Sequence, residues 1–93
     1  MVSPAWNISR SFRRITMTFT IYYNKNCGKC RLTAAVLSKN TANKIQMLPI
    51  TDRKRAEFQK LGLYSAPVVI AYQDGKEVDR WNDFNVKKVE KYK

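Results

Sequence analysis

The sequence predicts an α/β domain whose elements run β-α-β-α-β-β-α, a four-stranded mixed sheet flanked by helices. Three observations carry this. Short runs with a period of two alternate with runs at helical spacing. Asp74-Gly75 sits between two strand-like runs and marks a hairpin. At 93 residues the chain is long enough for one small core. A right-handed βαβ unit followed by a helix and a hairpin builds such a sheet, with helices on both faces.

Each element has its own reason. Met17 to Tyr23 alternates, with Met17, Phe19, Ile21 and Tyr23 on one face, and its Thr and aromatic content suits a strand. Asn24-Lys25-Asn26 is a polar turn. Gly28 to about Lys39 favours a helix, with Cys30, Ala34 and Leu37 in one stripe and Thr33 beside it. Asn40 to Asn43 is a loop. Ile45 to Ile50 reads as a second strand, with Pro49 near its end. Asp52 caps a helix running to about Leu61, and Gly62 suits the left-handed position after it. Arg53, Lys54, Arg55 and Lys60 fall largely on the solvated side of that helix. Pro67 to Tyr72 is a dense apolar run, the pattern of a central buried strand. Lys76 to Trp81 returns antiparallel to it. Val86, Val89 and Tyr92 then line one face of a short final helix.

Two segments are expected. Residues 1–16 form a basic N-terminal extension, expected to be flexible, and 17–93 the folded domain. The extension holds Arg10, Arg13 and Arg14 and no acidic residue. Its Ser- and Arg-rich composition is like that of an organelle transit peptide, and a surface-binding arm is a further reading. Met17 would also make a natural first residue. The whole chain carries 18 Lys and Arg against 7 Asp and Glu, a net charge of +11. Such a balance favours acidic partners, whether protein, nucleic acid or lipid headgroups, without choosing among them. No apolar run approaches the roughly 20 residues that cross a bilayer, so no membrane role is expected.

The chemistry lies in Cys27-Gly28-Lys29-Cys30. These are the only cysteines, and the chain has no histidine. A structural zinc site needs four ligands, which one chain of this composition does not supply from Cys and His. Only a zinc shared between two copies would remain. A purely structural disulfide would close a tiny loop and remove little entropy from the unfolded chain. Reversible thiol–disulfide exchange is left, with Cys27 attacking and Cys30 resolving. At the N-terminus of a helix, unpaired N–H groups and the helix dipole favour a thiolate on Cys27. Lys25, Lys29 and Arg31 add cationic charge nearby. Cys27 is therefore expected to titrate below the ordinary thiol value of about 8.5. A sparse CxxC beside a βα pattern also suits a reducing compartment, and a cytoplasmic location is expected.

Tyr64-Ser65-Ala66-Pro67 is the second feature. Pro67 fits as a simple strand-start proline. It equally fits a cis peptide after Ala66, packed beside the cysteines, which would turn Ala66's backbone outward to pair with an extended substrate.

Together, the strand leading into CxxC, the Ser65-Ala66-Pro67-Val68-Val69 segment and Trp81-x-x-Phe84 before the last helix resemble the glutaredoxin-like redoxins of the thioredoxin fold, the NrdH-redoxin type most closely. The resemblance covers residues 17–92. It implies that Cys27 and Cys30 are the redox pair and that Ser65 to Val69 are the cis-proline segment. Trp81, Phe84 and Lys88 match a Trp-Ser-Gly-Phe-x-Pro-x-Lys signature, from which Asn82, Asp83 and Val86 depart. Lys29, Tyr64, Ser65, Ala66, Pro67, Trp81 and Phe84 are then the residues expected to meet substrate or partner. The implied task is electron transfer, with no bound cofactor beyond the redox-active disulfide. Electrons come from NADPH through thioredoxin reductase and pass to a class Ib ribonucleotide reductase.

Two rivals follow. A glutathione-dependent glutaredoxin usually carries a Gly-Gly pair and an acidic residue before the last helix. Here that region reads Trp81-Asn82-Asp83-Phe84, which argues against a good glutathione site. The other rival is a basic nucleic-acid-binding module using Trp6, Trp81 and exposed tyrosines, but its basic residues are scattered and no such motif is present.

Overall fold

The computed structural model describes residues 16–93. The expected basic extension, with Trp6, Arg10, Arg13 and Arg14, falls outside them except for Thr16. The observed order is β1 (Met17–Tyr23), α1 (Gly28–Leu37), β2 (Lys44–Pro49), α2 (Asp52–Lys60), β3 (Val68–Gln73), β4 (Lys76–Asn82) and α3 (Val86–Tyr92). The strands form one sheet in the order β2-β1-β3-β4. β1 pairs parallel with β2, Ile21 opposite Met47. β3 runs antiparallel to both β1 and β4, with Tyr22 opposite Val68 and Val68 opposite Asn82.

β1 and β3 are the central strands, so both of their faces are covered. On one face Phe19, Ile21, Val69, Ala71 and Trp81 pack with Leu37 of α1 and Val89 of α3. On the other, Tyr22 and Val68 pack with Phe58 of α2. This corrects the simple alternation expected for β1. Thr20 and Tyr22 are buried beneath α2's side of the sheet while Tyr23 is only partly buried. In α1, Cys30, Thr33 and Leu37 are the buried residues, and Ala34 is half-covered.

Local chemistry sets the ends. α2 is capped by Thr51, whose Oγ1 accepts the Lys54 N–H at 3.2 Å. Asp52, expected as the cap, instead lies in the first turn, where its charge still favours the dipole. Gly62, at φ +79°, closes that helix as expected. Asp74 and Gly75 both have positive φ, as a tight hairpin turn with matching strand twist requires. β4 carries an irregularity: Ala71 faces Asp79 but Tyr72 faces Glu77. Val78 is thus skipped and exposed, a bulge beside the hairpin.

A polar clamp fastens α3 to β4. Lys88 Nζ donates to both oxygens of Asp79, at 2.9 and 2.8 Å, and the Tyr92 hydroxyl donates to Asp79 Oδ2 at 2.8 Å. Tyr92 also stacks on Trp81, centroids 5.9 Å apart and planes 5° apart, and meets Phe19 edge-on. Burial pushes the Asp79 carboxyl up, but the bonds from Lys88 and Tyr92 outweigh it and hold it below the usual carboxylate value. Burial and the neighbouring carboxylate push the Tyr92 phenol up to about 12.

The clamp predicts a two-sided pH profile. Asp79's lowered pKa stabilises the fold above the unfolded carboxylate value, and that contribution disappears as pH falls through the folded one. Tyr92's raised pKa stabilises below the unfolded phenol value of about 10 and is lost as pH rises toward 12. Asp79→Asn is expected to lower stability at neutral pH by about 2 kcal/mol in urea titration and to flatten the acid limb. An unchanged midpoint would show that the clamp does not hold α3.

Candidate functional site

Three segments meet at one end of the sheet because of the strand directions. β1 ends there at Tyr23, β3 begins there at Val68, and β4 ends there at Asn82. The cysteine loop, the Ala66-Pro67 segment and the Asp83-Phe84 loop are therefore brought together from positions far apart in the chain. Asp83 N–H donates to the Pro67 carbonyl at 2.8 Å, joining the last two directly.

Asn24 to Asn26 turns the chain from β1 into α1. Asn26 takes positive φ, a conformation asparagine tolerates better than most residues. Cys27 then occupies the N-cap of α1 with extended backbone angles, and its Sγ accepts the Cys30 N–H at 3.1 Å. Sulfur thus fills the role usually taken by a Ser or Asp oxygen. Cys27 and Cys30 form a disulfide, with Cα atoms 5.3 Å apart. The two sulfur-bearing residues are not equivalent: Cys27 is half-buried, whereas Cys30 is only 1% exposed on the inner face of the helix. No acidic residue lies in the first turn of α1, so nothing within the helix offsets its positive end.

Lys29 differs from expectation. Its ammonium does not stand free near Cys27 but pairs with Asp83 Oδ1 at 3.0 Å. Asp83 has φ +66° and its Oδ1 also accepts the Phe84 N–H at 2.8 Å. The Lys29 hydrogen bond first, and the Phe84 amide after it, hold the Asp83 carboxyl below its usual value. Asp83 thus anchors the residue between the cysteines to the loop before α3. Lys25 and Arg31 are exposed and have no carboxylate partner among the described residues.

The Ala66-Pro67 peptide is cis. Ser65 is exposed, Ala66 half-buried and Pro67 buried, while Tyr64 projects at 74% exposure. Phe84 is half-buried against the core. Trp81 is not a contact surface. It is 4% exposed in the core, and its indole N–H has no hydrogen-bond partner among the described residues. The expected exposed tyrosines reduce to Tyr64, since Tyr22 is buried and Tyr23, Tyr72 and Tyr92 are partly covered. Asp79 was missed in the sequence, although its placement two residues before Trp81 puts a carboxylate on the inward face of β4.

The fold is thioredoxin-like. Chlamydomonas reinhardtii thioredoxin f2 superposes with a TM-score of 0.58 at 18% identity, covering 86% of this chain and 78% of that one. Fasciola hepatica thioredoxin gives 0.57 at 19% identity, covering 96% and 94%. The oxidised form of mitochondrial thioredoxin 3 from Saccharomyces cerevisiae gives 0.58 at 14%, covering 94% and 85%. At these identities the likeness is one of fold. No family model matches the chain, and no curated protein matches it in sequence.

The Lys29–Asp83 pair makes a signed prediction. Asp83→Asn releases the ammonium, and alkylation of the reduced protein should then reach half its maximal rate at lower pH than in the wild type. Lys29→Gln should move that midpoint to higher pH, because it leaves the Asp83 carboxylate uncompensated beside the cysteine loop. Both differences should shrink in high salt, as expected for an exposed pair. An unchanged midpoint in both variants, or shifts of the same sign, would show that the pair does not act on the sulfur through its charge.

Proposed function

We propose that this chain is a small dithiol–disulfide oxidoreductase that carries electrons between proteins. The observation that carries the reading is the unequal cysteine pair: Cys27 half-exposed at the positive end of α1, and Cys30 buried one turn behind it.

The cycle balances without a bound cofactor. In the dithiol form, the Cys27 thiolate attacks one sulfur of a substrate disulfide. A Cys27–substrate disulfide forms, and the first substrate sulfur leaves as a thiolate that takes up a proton. Cys30 then loses its proton and attacks Cys27 Sγ. The substrate's second sulfur leaves and is protonated in turn. Two electrons and two protons have passed to the substrate, and the protein is left as the Cys27–Cys30 disulfide. The first α1 amides stabilise negative charge at Cys27 as each anion develops. The sulfur of Cys30 stays shielded until the mixed disulfide brings an electrophile within its reach.

The finer assignment rests on the resemblance to NrdH-type redoxins. On that reading the disulfide is reduced by thioredoxin reductase at the expense of NADPH, and the dithiol serves a class Ib ribonucleotide reductase in the cytoplasm. Ser65, Ala66 and Tyr64 would meet the partner beside the sulfurs, with Phe84 flanking them. Glutathione is the less favoured donor. The Trp81 to Phe84 loop has no Gly pair, and its one carboxylate, Asp83, is already engaged by Lys29. Of the aromatics that a nucleic-acid reading would use, Trp81 is buried, Tyr64 is exposed, and Trp6 lies outside the described residues.

An NADPH-oxidation assay with a disulfide acceptor separates these donors. Turnover with thioredoxin reductase, and little with glutathione and glutathione reductase, is expected. The opposite pattern would make the chain a glutaredoxin in function. Cys30→Ser should accumulate a mixed disulfide through Cys27, visible by non-reducing electrophoresis. Failure to trap one, with turnover retained, would contradict the two-step exchange.

A further inference from the structure

We propose that a basic trough beside the disulfide docks an acidic polypeptide segment, the carboxylate-rich flank of a substrate's disulfide. The proposal rests on the oxidoreductase reading and adds to it the class of substrate.

Three adjoining concavities run from the cysteines to the Ala66 segment. The first holds Cys27, Cys30, Lys25, Arg31 and Met47. The second shares Tyr23 and Lys25 with it and adds Arg55. The third shares Arg55 and reaches Tyr64, Ser65 and Ala66. Three cations line this path, and no Asp or Glu does. Lys25, Arg31 and Arg55 are all exposed and without a carboxylate partner among the described residues. Five of the seven carboxylates among the described residues are engaged away from the trough. Glu57, Glu77, Asp79, Asp83 and Glu90 are each paired with a Lys or Arg elsewhere.

The charge is also one-sided. On the α3 side of the cysteines Lys29 is neutralised by Asp83. On the β2 side the cations remain uncompensated. Arg55 is held in place by a neutral acceptor, its Nη2 donating to Asn24 Oδ1 at 3.3 Å, which orients the guanidinium without cancelling it. A planar fork so placed suits a carboxylate. Between the cations the floor is largely apolar, with Met47 39% exposed next to the cysteines. Apolar floor and cationic rim together fit a polypeptide that carries both apolar and acidic side chains. A nucleic acid would match the charge, but it brings no disulfide to the sulfurs that the trough surrounds. Docking along this path leads an extended segment across Cys27 toward the exposed Ser65 and half-exposed Ala66.

The test uses the reduced protein and three synthetic peptides. Each is a disulfide-linked dimer through a single Cys, flanked by Glu, Gln or Lys at the same positions. Second-order rates of thiol release are divided by each variant's own rate with hydroxyethyl disulfide, which is uncharged. The Glu peptide should be reduced at least about tenfold faster than the Lys peptide at about 20 mM salt, and the ratio should fall toward one near 0.5 M. Arg55→Glu should cut that ratio severalfold. Arg53→Glu, the same charge change on an exposed residue of α2 off the trough, should leave it within about twofold of the wild type, whereas a general effect of net charge would lower both alike. Equal rates for all three peptides, or equal effects of the two substitutions, would overturn the docking site while leaving the oxidoreductase reading intact. No reduction of hydroxyethyl disulfide would overturn that reading and this one with it. Charge-blind peptide rates alongside Arg55-dependent capture of a single-stranded oligonucleotide would reassign the trough to nucleic acid.

Discussion

The point at which α1 begins decides most of what this molecule can do. Starting the helix at Gly28 makes Cys27 the N-cap and puts its sulfur against the Cys30 amide. The same start places Cys30, Thr33 and Leu37 on the inner face, so Cys30 is buried by the stripe that anchors the helix. One turn of helix therefore separates a reachable sulfur in a positive field from a covered one. Were the sequence shifted by one residue along this helix, Cys27 would lose its capping bond and Cys30 would turn by roughly 100° away from the core. The burial of Leu37 against Phe19 and Ile21, which fixes the rotation of α1, is in this sense part of the chemistry.

Sheet topology adds the remaining parts. Since β3 is antiparallel to β1 and β4, the start of β3 and the ends of β1 and β4 share one edge of the domain. The cis Ala66-Pro67 peptide and the Lys29–Asp83 pair lie at that edge. The α3 clamp is a different device. Asp79, Lys88 and Tyr92 hold the last helix over Trp81, and Trp81 in turn fills the core behind the loop that carries Asp83. Trp81 and Lys88 thus shape the site's back wall.

The sequence revealed what depends on local pattern. The strand and helix order, the Asp74-Gly75 turn, Gly62 after α2 and the CxxC at a helix start could all be read from periods and turn residues. What it hid depends on contacts between distant residues. Lys29 looked like a free cation because its partner, Asp83, is far along the chain and is aimed by a left-handed backbone angle. Trp81 looked like a docking surface because an aromatic on an edge strand carries no mark of which face it takes. The burial of both faces of β1 follows from its central position, which a single strand's alternation does not encode. Thr51 and Asp52 are both good caps, and only the backbone angles choose between them.

The account stands on the two sulfurs being unequal, and peptide mapping of the reduced protein reads that inequality directly. With iodoacetamide in short supply near neutral pH, mass spectrometry should find the label almost wholly on Cys27, with Cys30 modified only after unfolding. Equal labelling, or a label that favours Cys30, would contradict the division of labour on which the proposed exchange depends.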